Sequence, residues 1–157
     1  MAFNKKYFKN EPFIFPNGKK LEITTQDLLD KKVDEKYFLS KKILPTILGE
    51  GTKGYIAKPT IDMPISKTLT ATMAKMHRAS QDNYFTDNVN SIGINESKSN
   101  IRKLTPNECR KLQGFPSDWK QVVSDAQAYK QFGNAVTVDV SYNVACSVKD
   151  YMNKYKK

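Results

Sequence analysis

Histidine is almost missing from this chain of 157 residues: His77 is the only one, and Cys109 and Cys146 are the only cysteines. One imidazole and two well-separated thiols do not make the four-ligand set of a structural zinc site. Two cysteines are also too few for the disulfide framework of a small secreted domain. No apolar run approaches the roughly 18 residues of a membrane helix. The N-terminal MAFNKKYFKNEPF lacks the apolar core of a secretory signal. These absences predict no metal, no membrane and a reducing, cytoplasmic setting. Arginine is scarce as well, since only Arg78, Arg102 and Arg110 stand among 26 basic residues.

The charge that is present has one dominant sign. Against 16 acidic residues the chain carries a formal net charge of +10. That balance suits a polyanion, most simply nucleic acid, where each neutralised phosphate releases counterions. A lysine-rich composition produces the same number without any such partner, so charge alone leaves both readings open. The length fits one domain with a modest core.

Along the chain, FIFPNGKK (13–20) reads as a short strand running into an Asn-Gly turn. Thr24 or Thr25, and then Asp34, are candidate N-caps of two short helices. GEGTKGY (49–55) is a glycine-rich loop without the spacing of a phosphate-binding loop. PISKTLTATM (64–73) alternates β-branched with smaller or polar residues and predicts a strand, and VNSIGINESKSN (89–100) a short strand passing into a polar loop.

The strongest local grammar lies in IRKLTPNECRKLQGFPSDW (101–119). Thr105 as N-cap, Pro106 in the first turn and Glu108 three residues after the cap form a capping box that starts a helix. Gly114 and the following Phe115-Pro116 end it. Ser124 and Gln127 predict a second such start, for a short helix ended by Gly133, and Asn134 is the expected N-cap of a third helix reaching about Asn153. On that last helix Val136, Val140, Val144 and Val148 recur every fourth residue, continued by Tyr151, Met152 and Tyr155. Each buried valine contributes roughly 1.5–2 kcal/mol, and an isolated helix of this length is marginal in water. The stripe needs a wall, whether from this chain or from a partner.

RKLTPNECRKLQGFPSDW followed by QAYKQFGNAVTVDV resembles the last two motifs of bacterial DNA (cytosine-5)-methyltransferases, in the family's order and spacing. KTLTATM is similar to the Thr-Leu element of that family's target-recognition region. The resemblance implies an α+β chain: a small β-rich target-recognition domain with short helices, then a C-terminal helix that packs on a Rossmann-like catalytic domain missing from these residues. The expected division is a lead-in at 1–20, the small domain at 21–128 and the returning helix at 129–157. It further implies S-adenosylmethionine as cofactor, with Asn134 and Ala135 as its contacts, and double-stranded DNA as partner. Arg78 is the candidate for a guanine edge, Lys75 and His77 for phosphate, and Thr70 and Thr72 for base edges. The bland alternative for Arg78 is pairing with Asp82 four residues on. Arg102 is expected to brace the small domain instead.

The family's nucleophile is a cysteine that follows a proline. Here Cys109 follows Glu108 and Cys146 follows Ala145, so neither fits, and Cys109 reads as a packing residue. The Phe-x-Gly-x-Gly and Glu-Asn-Val elements are absent too. No catalytic residue is therefore assigned within this chain, which is expected to be inert alone. The preferred reading is one subunit of a split restriction-modification methyltransferase, completed by a separate N-terminal catalytic subunit. The alternatives are a truncated fragment and a DNA-binding module that has lost its chemistry.

Overall fold

The structure, a computed structural model, describes residues 2–52 and 54–157. Met1 and Lys53, the latter within the glycine-rich loop, lie outside the described residues. Two compact units emerge: Ile23–Ala135, and Met1–Glu22 together with Val136–Lys157. Mixed helix and strand with a small sheet describe the chain.

In the larger unit β1 (Phe38–Ser40), β4 (Tyr84–Thr86) and β5 (Lys98–Lys103) form a three-stranded antiparallel sheet in the order β1-β5-β4. The central strand alternates from buried Ser99 through exposed Asn100 to buried Ile101, and then breaks the alternation by burying Arg102 as well. A separate hairpin pairs β2 (Gly51–Thr52) with β3 (Tyr55–Ile56). Gly51 has φ +120°, and a Cβ there would lie 2.0 Å from the Tyr55 carbonyl oxygen, so the hairpin closes only around glycine. Between β1 and β2 runs a single helical turn, α1 (Leu44–Ile47).

Two helices complete this unit. In α2 (Pro106–Leu112) the expected capping box is present in full: the Thr105 hydroxyl accepts from the Glu108 amide, and the Glu108 carboxylate accepts from the Thr105 amide. Gly114, at φ +74°, takes the left-handed conformation just past its end. Helix α3 (Asp125–Asn134) starts on Ser124, whose hydroxyl accepts from the Gln127 amide. Its inner face sets Ala128, Tyr129 and Phe132 against Leu104, Cys109 and Met73. Phe132 meets the Trp119 ring at 5.1 Å and the Phe115 ring at 5.6 Å. Full burial of such side chains contributes about 1.5–3 kcal/mol each, which makes this cluster the main support of the unit. A second cluster of Leu39, Ile47, Ala79, Tyr84 and Ile101 lies around the sheet.

Several expected strands are not strands. Residues 13–20 form no ladder, and Pro16 removes a donor where one would be needed. Residues 64–73 form no strand: they bend at 64–65 and turn at 71–72 into a 3-10 turn. At Lys67 the Asn83 side chain takes the place of a strand partner, with Lys67 N donating to its Oδ1 at 2.7 Å and its Nδ2 donating to the Lys67 carbonyl at 2.9 Å. Within 89–100 the order is reversed, turns first and strand second. Asp34 does cap a turn, Glu35–Tyr37, by accepting from the Lys36 amide, but both short helices expected here are single 3-10 turns.

The smaller unit is built around α4 (Val138–Tyr155). Tyr151 is buried against the N-terminal segment, stacking on Phe3 at 4.2 Å and donating its hydroxyl to the Glu11 carbonyl at 2.7 Å. Backbone bonds join the same segment to the end of α4, from Lys9 N to Tyr155 O and from Lys157 N to Tyr7 O. The valine stripe is thus covered only toward its C-terminal end. Val136 and Val140, toward the other end, remain 66% and 55% exposed. No described helix is long and apolar enough to cross a membrane.

Candidate functional site

The candidate site rests on a buried ionic frame. Arg102, on β5, is fully buried and grips Glu108 of α2 with two parallel bonds of 2.9 Å, while its Nε donates to Asp87 at 2.7 Å. Glu108 also accepts from the amides of Asp30 and Thr105, each at 2.7 Å. Asp30 in turn accepts from the Thr105 hydroxyl and from Lys111. Burial works against the Asp87 carboxylate, but bonds from Asn90 and Arg102 outweigh it and hold its pKa below the ordinary carboxylate range. Arg102 is therefore the brace that the sequence suggests.

Above this frame lies the segment that carries the expected DNA contacts. Leu69 and Met73 anchor it in the core, and a 3-10 turn spans Met73–Lys75. The Lys67 ammonium is enclosed by the carbonyl oxygens of Thr60, Ala79 and Asp82. Burial lowers its pKa, only partly opposed by Asp82. Asp82, itself buried, is pushed upward in pKa by that burial; one of its oxygens accepts from the Thr70 hydroxyl at 3.5 Å, and the other has no partner among the described residues.

Thr70 is half-buried and Thr72 exposed, their hydroxyls 3.4 Å apart. Lys75 is exposed at the end of the 3-10 turn. His77 is half-buried, with its carbonyl accepting from the Tyr84 hydroxyl at 2.6 Å. Arg78 is half-buried and points its Nη1 at the Gly49 carbonyl, 3.4 Å away, beside the base of the β2–β3 hairpin. The alternative Arg78–Asp82 side-chain pair does not form; the two residues are linked through their backbones instead. A bond of 3.4 Å is weak, so the guanidinium is restrained rather than locked.

Asn134 and Ala135 occupy a different position from the one expected. Asn134 is the last residue of α3, not the cap of α4, whose N-cap is Thr137. The positive end of a helix dipole therefore belongs to the stretch after Val138, and what Asn134 offers is an exposed side-chain amide. Ala135 is half-buried, its amide donating to the Phe132 carbonyl at 3.3 Å.

Nor does Gly133 end α3. It is helical, and a Cβ placed on it would lie 2.1 Å from the Thr70 carbonyl carbon and 2.2 Å from the Ala71 nitrogen. The glycine permits a close backbone approach, and from sequence alone that role looks the same as a helix stop. Asn83, too, has no motif to mark its bonds to Lys67 in the sequence. Of the two thiols, Cys109 is fully buried in α2 and burial drives its pKa well up, while Cys146 is exposed on α4.

The C-5 cytosine-specific DNA methylase family matches residues 1–150. Among curated relatives, the Type II methyltransferase M.SsoII of Shigella sonnei is 38% identical across 92% of this chain and 37% of its own length. The Type II methyltransferase M.DsaV of Dactylococcopsis salina is 32% identical across 98% of this chain and 42% of its own. In fold the chain is similar to the Entamoeba histolytica methyltransferase EhMeth, with a TM-score of 0.59 at 23% identity, covering 94% of this chain and 44% of that one. The chain thus spans roughly two fifths of these relatives. Matched over residues 1–150, the chain belongs to the C-5 cytosine-specific DNA methylase family.

Proposed function

We propose that this chain is the target-recognition and closing-helix portion of a restriction-modification DNA (cytosine-5)-methyltransferase. The catalytic nucleophile then comes from a separate portion, in the preferred reading a second polypeptide. The observation that carries this is the state of the two thiols: the one inside a family motif, Cys109, is sealed in the core with a raised pKa, and neither follows a proline. A thiol buried away from solvent and held protonated is a poor nucleophile toward ring carbon 6.

The work of this portion is binding. Cytosine leaves the stack to reach a nucleophile, at a cost of a few kcal/mol. Contacts from Thr70, Thr72, Lys75, His77 and Arg78 to flanking bases and phosphates offset that cost. S-adenosylmethionine supplies the methyl group when bound. The exposed amide of Asn134 suits its carboxylate as a donor, and the small side chain of Ala135 leaves room for close approach.

The decisive experiment mixes the chain with a family portion that carries the Pro-Cys element and follows methyl transfer to duplex DNA. Activity is expected from the mixture and from neither component alone. Methylation by the chain alone would refute the reading. In the active mixture, Asn134→Asp is expected to raise the KM for S-adenosylmethionine about tenfold and leave DNA affinity at saturating cofactor unchanged. Arg78→Ala should do the reverse, weakening cognate DNA about 5- to 100-fold, the range of one lost base contact. If both variants shift the same parameter, the assignment of the two roles is wrong.

A further inference from the structure

The contact between Gly133 and the Thr70–Ala71 peptide ties together two functions that the family reading keeps apart. Gly133 directly precedes Asn134, the proposed cofactor contact, and Thr70 and Thr72 belong to the proposed reading segment. Both sides of the contact are anchored close by. On one side, Phe132 is buried between Phe115 and Trp119, and its carbonyl accepts from the buried Gln113 amide at 2.7 Å. On the other, Leu69 is in the core and Lys67 is held by both ends of the Asn83 amide. A side chain at 133 meets backbone atoms near 2 Å away, not the flexible end of a side chain, so one of the two segments must move.

We propose that Gly133 is a positioning residue for target reading: it lets α3 bear directly on the Thr70–Ala71 peptide, so that DNA reading is coupled to occupancy of the Asn134–Ala135 end of α3. This inference rests on the function proposed above and adds a route between its two sites. By linkage, a cofactor that tightens DNA binding through this contact is itself tightened by cognate DNA to the same degree.

The test uses the reconstituted methyltransferase, containing the whole chain, with S-adenosylmethionine for selection from a pool of randomised duplexes whose methylated members are sequenced, and with S-adenosylhomocysteine as the non-reacting cofactor probe for binding. The wild type is expected to select a defined sequence and to bind a duplex carrying it about fivefold or more tightly when the probe is present. In Gly133→Ala that gain should fall toward onefold, and discrimination between selected and unselected duplexes should drop about tenfold or more. Affinity for the probe without DNA should stay within about twofold, a result that general unfolding cannot give. Ala71→Gly, which loosens the same peptide without adding atoms, is expected to reduce discrimination and coupling in the same way, and it decides the matter if Gly133→Ala does not fold. The proposal is overturned by a folded variant of either kind that keeps wild-type discrimination and coupling, or by a wild type whose duplex affinity ignores the probe. A wild type that selects no sequence at all would instead sink the recognition reading beneath it.

Discussion

Arg102→Leu is expected to lower the unfolding free energy of the larger unit by about 3–5 kcal/mol, the cost of breaking a buried ion pair from one side. Leucine fills much of the space but leaves Glu108, fully buried, and Asp87 without their cation. The carboxylate of Glu108 cannot simply be given up, because it also closes the capping box of α2 and accepts from the Asp30 amide. Since a domain of this size has only about 5–15 kcal/mol to lose, the substitution removes a large share of its stability. Arg102→Lys keeps the charge but not the two parallel bonds, and an intermediate loss of about 1–3 kcal/mol is expected. Urea melts followed by near-UV circular dichroism give both numbers as shifts in midpoint at constant slope. A leucine variant within about 0.5 kcal/mol of wild type would show that the frame contributes little. Acid should erode the same frame: the folded pKa values of Asp30 and Asp87 are depressed, so their contribution is complete above the unfolded carboxylate range and is lost as pH falls through the lower folded values.

The features that could be read from the sequence are those whose causes are local. The box at Thr105, Pro106 and Glu108 needs only residues within one turn of each other, and its helix is where the spacing puts it. Arg102 could be assigned as a brace because it adjoins that box. Features decided by distant partners could not be read. The alternation in 64–73 is real, but its strand-like bonds are made by Asn83, 16 residues away from Lys67, through a side chain that no strand pattern includes. Gly133 and Asn134 show the same limit. A glycine before an asparagine fits a helix stop followed by a cap, and the alternative, a glycine forced by backbone from residues 70 and 71, leaves no trace in the neighbouring letters. The bland alternative for Arg78, a pair with the carboxylate four residues on, has the right spacing for a helix, but the chain there is not helical and its side chain meets the Gly49 carbonyl instead.

The second large effect is expected on α4, where the substitution should spare the chain and disable the assembly. Val140 continues the stripe that Tyr151 and Tyr155 close against the N-terminal aromatics, but those rings do not extend to it. In Val140→Asp the new carboxylate sits in solvent in the free chain and within the first turn of α4, where the helix dipole welcomes negative charge. The stability of the chain itself should therefore change by no more than about 0.5 kcal/mol. Against an apolar wall on the catalytic portion the same carboxylate is buried without a partner, at a cost of several kcal/mol. Association with that portion is then expected to weaken by about 100-fold or more. Because the loss is in assembly and not in chemistry, methylation at a large excess of the variant chain should recover substantially. Tyr142→Asp, 200° around the helix from Val140 at about 100° per residue and also exposed, is the matched control and should assemble normally. Equal association of the two variants would mean that the bare end of the stripe is not the docking face, and that the proposed assembly uses some other surface of this chain.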